Sequence, residues 1–293
     1  MMTTILRTTN TRVYRKTTRP PRISISRIGA FTVLLTLSLV GVYPFVWMVL
    51  TSLRERNTIF NGPFIPTQII FDAYPAAWQQ TEFGAHFLNT IVIAILSLTG
   101  ILFFSTAAGY AFAKLRFPMK RVIYVLLLST MAMPAASLII PLYLQVKNLG
   151  LLNSTQGLIL VYVASMSPFS IMLMRSFFET VPNELIEAAR IDGSSEWGTF
   201  YRVALPLVRP GVGTVVILQL LSVWNEFLYA TVLIQDPALK PLTPTIFNLV
   251  GQFNTNWTSL TAALTMAIIP VVLVYINMQK QFVAGLTQGA LKG

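Results

Sequence analysis

The stretch EAARIDG, residues 187–193, lies between two long apolar runs. With Glu184 just before it, it places Glu184, Glu187, Arg190 and Asp192 a few residues from segments suited to lipid. Such a stretch has work to do outside a membrane, and the rest of the chain says which work.

The chain has 293 residues, 54% of them hydrophobic and 11% charged. Soluble domains carry about 25% charged residues, so lipid is the expected solvent for much of this chain. It has no Cys and one His, His86. Disulfides, thiolate chemistry and a His-based metal cluster are thereby excluded, and no metal site is expected. The net charge of +11 is not a nucleic-acid footprint, because the cations fall between apolar runs and form no basic face interleaved with aromatics.

About 20 apolar residues cross a bilayer. Six candidates occur, near residues 29–50, 90–113, 122–142, 158–178, 211–233 and 260–276. Pro134, Pro141 and Pro168 interrupt the third and fourth. Prolines are tolerated in a span when neighbours satisfy the freed carbonyls. Lys and Arg then sort by side. Seven precede span one, four follow span two (Lys114, Arg116, Lys120, Arg121), Arg175 lies at the end of span four with Arg190, Arg202 and Arg209 after it, and Lys280 and Lys292 follow span six. The opposite side holds only Arg54, Arg56, Lys147 and Lys240. The positive-inside rule therefore predicts a multi-pass membrane protein with both termini in the cytoplasm. The acid-free N-terminal tail also has the look of a transit peptide, but an anchor for span one fits it better. His86 is expected at the outer end of span two as an interfacial polar residue. The outer loops, near residues 51–89 and 234–259, are too short to fold alone.

Parity puts the opening stretch in the cytoplasm. Asn183 is expected to cap a short helix, with Glu184 at its positive end. Leu185, Ile186 and Ala189 would share a face, with Glu187 and Arg190 turned away. Gly193 interrupts, and Ser194 is expected to cap a second helix carrying Glu196, Trp197, Phe200 and Tyr201. Pro206 and Pro210 mark the approach to span five. A helix resting on the membrane surface would want a cationic face. Residues 179–209 hold five acids against three arginines, so docking to a cytoplasmic protein fits better.

Residues 187–206, EAARIDGSSEWGTFYRVALP, closely resemble the EAA loop of ABC importer membrane subunits. The matching positions are Glu187, Ala188, Ala189, Asp192, Gly193, Phe200, Leu205 and Pro206; Ser194 departs from the usual Ala. PTQIIFDAY (66–74), FLNT (87–90), GLLNSTQGLIL (150–160), WNEF (224–227) and FVAGLTQGALKG (282–293) resemble the sugar-uptake, maltose-type branch. The resemblance implies an all-α integral membrane bundle of about six helices with a MetI-like ABC permease core. The expected organisation is a basic cytoplasmic tail at 1–28, which the resemblance does not cover, a transmembrane permease domain at 29–278 with the cytoplasmic coupling loop at 180–209, and a cytoplasmic C-terminal tail at 279–293. The implied partners are a second permease, two copies of an ATPase subunit, an extracytoplasmic solute-binding protein and membrane lipid, in the cell membrane of a prokaryote. The EAA residues would couple to the ATPase. The tail, with Gly285, Gly289 and Lys292, would lie between the two ATPase subunits, and the outer loop with Gln252 and Asn254 could reach the binding protein.

Catalytic machinery is missing. There is no GxxxxGK[ST] and no GxSxG. No catalytic residue or cofactor is expected in this chain; ATP and Mg would be bound by the partner ATPase. Glu226 is the one acid within a span, beside Asn225 and Trp224. It is read either as a bond to another helix, as a lining of the solute path, or as a proton relay. A sugar-stacking role for Trp224 is open as well. The rival to an ABC permease is an ion-coupled secondary transporter or channel working without an ATPase.

Overall fold

The computed structural model describes residues 25–251 and 255–290. The basic tail before residue 25, Gln252, Asn254 and Lys292 lie outside the described residues. The described residues form helices joined by turns, with no strand among them. The chain divides into two units, residues 1–46 and 47–293. In the first, residues 28–46 belong to helix α1 (Ile25–Ser52), whose apolar side chains, such as Phe31, Leu34 and Leu37, are exposed. Thr32, Thr36 and Ser38 return their hydroxyls to the carbonyl four residues back, so α1 carries its polar groups self-satisfied, as a lipid-facing helix must.

The second unit is built around α3 (Phe83–Lys114), preceded by the short outer helix α2 (Ala73–Gln80). Helices α4 (Lys120–Ser129) and α5 (Ala135–Asn148) meet at a bend of 107° beside Pro134. The third predicted span is thus a broken one. Pro134 lacks an N–H and forces extended backbone on Met133 (φ −83°, ψ 122°), which ends the helix there. By contrast Pro168 sits inside an uninterrupted α6 (Thr155–Glu179), which Ser154 caps by accepting the Gly157 N–H. α3 packs along α6. Ser97, Ile101, Ser105 and Gly109, spaced by four, form a buried stripe on α3. The small residues let the backbones approach: a Cβ on Gly109 would lie 2.8 Å from Met174 Cβ and 3.0 Å from the Arg175 nitrogen.

Beyond α6 come α7 (Asn183–Ile191), α8 (Glu196–Thr199), α9 (Leu205–Leu207) and α10 (Arg209–Trp224), then α11 (Leu228–Leu233), α12 (Leu242–Phe247) and α13 (Trp257–Ala290). The predicted fifth span, 211–233, is not continuous. α10 has 16 residues, about 24 Å at 1.5 Å per residue and short of the ~30 Å hydrocarbon core. The chain breaks at 225–227 before α11 resumes. Among the described residues four helices are long and apolar enough to cross a membrane, or up to six if each of two bent pairs is one span. α13 continues through Ala290, so Gly285 and Gly289 lie on helical backbone.

The outer elements are tied down by polar contacts. His86, in the first turn of α3, is buried, and its Nδ1 lies 2.8 Å from the Lys240 carbonyl. Thr90 accepts the Leu242 N–H at 2.7 Å. A second apolar cluster, Ala77, Phe83, Leu242, Ile246, Leu260, Ala262 and Ala263, joins α2, α3, α12 and α13.

Candidate functional site

Lys114 at the end of α3 staples the start of the EAA segment. Its Nζ donates to the Val181 carbonyl at 2.5 Å and to Asn183 Oδ1 at 2.8 Å. Asn183 is consequently not the helix cap expected of it; Pro182 holds that place and Asn183 sits in the first turn. Glu184 in the first turn and Arg190 in the last complement the helix dipole. Only Ile186 is buried; Leu185, expected beside it, is 44% exposed. Glu184, Glu187, Ala188 and Ile191 fall on one face by helical spacing, and all four are exposed. Ile191 is 86% exposed. An acidic ridge with a small residue and an apolar tip thus projects from the bundle. Ala189 lies half-buried behind it.

The turn after α7 explains Gly193. Its N–H bonds the Arg190 carbonyl and the Ser194 N–H bonds the Ala189 carbonyl, each at 3.0 Å. That is the Schellman pattern, which needs a left-handed residue at the position Gly193 fills with φ +78°. Asp192 closes α7 as its C-cap. The next cap is Ser195, not the expected Ser194; its Oγ accepts the Gly198 N–H at 3.1 Å. Across this turn Arg190 Nε lies 2.8 Å from Glu196 Oε1, and Nη2 donates to Oε2 at 3.2 Å. The bond to Glu196 raises the Arg190 pKa above its already high ordinary value.

Phe200 anchors the second arm. It is buried, with its ring centroid 5.2 Å from Tyr110 of α3 and 6.1 Å from Phe178 of α6, while Trp197 packs edge-on at 5.7 Å. Residues Phe200–Ala204 form a π-helical segment between α8 and α9. Such widened turns recur at functional sites; here one precedes Leu205 and Pro206, both half-buried. The arm Glu196–Leu207 then meets α10 at 77°. α10 enters close under α6, since a Cβ on Gly211 would lie 2.5 Å from the Phe177 ring. The loop is therefore attached to α3, α6 and α10 at once. Sequence reasoning missed Lys114, Tyr110 and Phe178, which lie far from the motif in sequence.

At the break in the fifth span, Glu226 Oε1 accepts the Tyr229 N–H at 2.8 Å and Oε2 the Ala230 N–H at 3.0 Å, while the Tyr162 hydroxyl donates to Oε2 at 2.7 Å. Glu226 so closes the N-terminus of α11 and ties it to α6, in line with the helix-bonding reading. Asn225 Nδ2 donates to the Leu221 carbonyl and ends α10. Trp224 is 8% exposed, edge-on to Phe87 at 5.9 Å, and its carbonyl accepts from Thr243 Oγ1 at 2.6 Å. Trp224 is thus packed among core side chains. Among the described residues no group of three or more His, Asp or Glu could hold a metal.

Residues 105–288, from the middle of α3 through the loop and the break into α13, match the family model described as binding-protein-dependent transport system inner membrane component. The chain belongs to this family. The permease is 33% identical over 258 residues to the diacetylchitobiose uptake system permease protein of Streptomyces coelicolor, covering 87% of this chain and 85% of the relative. It is 31% identical over 251 residues to the melibiose/raffinose/stachyose import permease protein of Bacillus subtilis, covering 85% of this chain and 91% of that one. A crystal structure of a bacterial ABC transporter that imports the acidic polysaccharide alginate contains a chain similar to the permease, with 30% identity and a TM-score of 0.77, covering 90% of this chain and all of the other.

Proposed function

We propose that the permease forms, with a second permease, the membrane path of an ABC importer for a sugar or oligosaccharide. Two cytoplasmic ATPase subunits binding ATP and Mg would drive it, and an external binding protein would deliver the solute. The observation that carries the coupling role is the projecting ridge of Glu184, Glu187, Ala188 and Ile191, held by Phe200 against α3 and α6. Carboxylates on a protruding helix form charge-assisted bonds with basic groups of a partner. The exposed Ile191 offers an apolar anchor, and Ala188 permits close approach. Motion of a docked ATPase would pass through the aromatic anchor into α3 and α6.

The solute class rests on the sugars named for the relatives. The orientation, with both termini and the EAA segment in the cytoplasm, rests on the distribution of Lys and Arg. Under this reading, the broken spans at Pro134 and at 225–227 lie where a path would run, because irregular backbone at membrane depth is tolerated beside a cavity. The C-terminal end of α13 would approach the ATPase pair.

Purification of the full chain from its host membrane tests the reading. An ATPase subunit should copurify, and reconstituted vesicles should take up labelled oligosaccharide only with ATP and the binding protein. Uptake driven by an ion gradient, with no ATPase in the preparation, would establish the secondary-transporter alternative.

A further inference from the structure

Tyr110 of α3 carries a polar group that the packing leaves without a use. It is 4% exposed, and its hydroxyl has no hydrogen-bond partner among the described residues. The buried hydroxyls of Tyr162 and Thr90, by contrast, are engaged. Tyr162 donates to Glu226 at 2.7 Å, and Thr90 donates to the His86 carbonyl at 2.8 Å while accepting from Leu242. A buried polar group without a partner is costly and calls for an explanation. The same junction holds a second one. Thr199, fully buried one residue before Phe200, also has an unbonded Oγ1.

The surroundings of Tyr110 point to one acceptor. Its ring lies 5.2 Å from Phe200, and Glu196 stands four residues before Phe200 on the same arm. Glu196 and Arg190 are the charged groups that act on the Tyr110 hydroxyl. Glu196 turns both oxygens to Arg190 across Gly193, so the hydroxyl stands beside a carboxylate without a bond to it. α3 therefore meets the two arms of the EAA segment differently. Lys114, one turn beyond Tyr110 on the same face, holds the start of the first arm through Val181 and Asn183. Tyr110 meets the second arm by ring packing alone. Behind it α3 is locked on α6 at Gly109, so the part free to shift is the arm. A cleft of about 890 Å³, lined by Glu196, Arg190, Asn183 and Ile186 among others, gives both charged side chains room to turn.

We propose that Tyr110 is a positioning residue of the coupling machinery: in a second arrangement of the EAA segment, Glu196 releases one prong of its fork with Arg190 and accepts the Tyr110 hydroxyl. α3 would then distinguish the two arrangements by a single hydrogen bond. The proposal rests on the coupling role given above. Its test uses the chain purified with its ATPase subunits in lipid nanodiscs, melted once without nucleotide and once with MgATP and vanadate, a mimic of the transferred phosphoryl group. Tyr110→Phe removes only the hydroxyl. In the state where that hydroxyl has no partner, the variant should melt at the same temperature or higher; in the other it should melt lower. The vanadate concentration that converts half of the complex should change about fivefold, the shift that one hydrogen bond makes in an equilibrium. In a Glu196→Ala background, Tyr110→Phe should have the same effect in both states. Equal effects with Glu196 present make the hydroxyl merely structural and overturn the proposal. Opposite effects that persist without Glu196 also overturn it, since they name another acceptor. If MgATP with vanadate leaves wild-type melting unchanged, the coupling role fails and the proposal with it. A nucleotide-dependent wild type with an indifferent Tyr110→Phe overturns the assignment of Tyr110 alone.

Discussion

Arg190 and Glu196 face each other across the left-handed Gly193, Nε to Oε1 at 2.8 Å and Nη2 to Oε2 at 3.2 Å. The pair joins the two arms of the EAA segment by a forked contact, which fixes direction as well as distance. The side chains are 39% and 51% exposed, so solvent screening limits its contribution to stability to about 1 kcal/mol or less. Its consequence lies in the angle between the arms. Glu196→Gln should leave insertion and melting temperature nearly unchanged while lowering ATP-driven uptake severalfold. Exchanging the two residues, Arg190→Glu with Glu196→Arg, should restore much of the loss. Failure of the exchange, with Arg190→Glu alone equally impaired, would show that Arg190 acts on a partner protein instead.

Gly193 predicts a different signature. A side chain at φ +78° costs roughly 1–2 kcal/mol, although open space surrounds the position. Gly193→Ala should weaken transport more than Gly193→Asn, since Asn tolerates the left-handed region. Protease sensitivity of the 180–209 segment should rise in the same order. Equal behaviour of the two variants would mean that the turn conformation is not what matters.

Phe200→Ala removes the wedge between Tyr110 and Phe178. Truncating a buried aromatic costs about 3–5 kcal/mol, some of it recoverable here because the site lies at the end of the bundle. The expected result is a lower melting temperature and ATP hydrolysis that continues with little uptake. Phe200→Tyr, which preserves the ring, should be far milder. Parental uptake in Phe200→Ala would rule out transmission through this contact.

Glu226 and Tyr162 make the fourth prediction. Glu226→Ala leaves two backbone N–H groups and the Tyr162 hydroxyl without their acceptor, and a buried unpaired group costs about 1–3 kcal/mol. Glu226→Gln keeps one carbonyl acceptor, and Tyr162→Phe removes a single donor. Thermal denaturation in lipid nanodiscs should therefore rank Ala as the most damaging, with Gln and Phe well behind. If Glu226 served a proton relay, Gln would match Ala in transport and leave stability intact.

Residue chemistry by itself determined the class of this protein. Low charge content and apolar run length specify a lipid-solvated helical chain, because only helices and closed barrels satisfy backbone groups in hydrocarbon and continuous apolar runs of about 20 residues fit helices, not barrel strands. The EAA spacing specified a two-arm segment hinged at a glycine, since a Schellman turn needs a residue free of the Cβ penalty. What pattern reasoning could not reach depends on contacts distant in sequence. Asn183 and Ser194 are both competent caps by local rules. Lys114, 69 residues before Asn183, engages the first, and the Schellman geometry at Gly193 moves the second cap to Ser195. Hydropathy does not place the break of the fifth span; there Glu226 accepts from Tyr162 of another helix and from two N–H groups of α11. Leu185 and Leu126 are apolar yet exposed, while His86 is polar yet buried. Hydropathy measures a side chain's preference, and only the packed bundle decides which preferences are met within the chain and which are left for lipid or a partner.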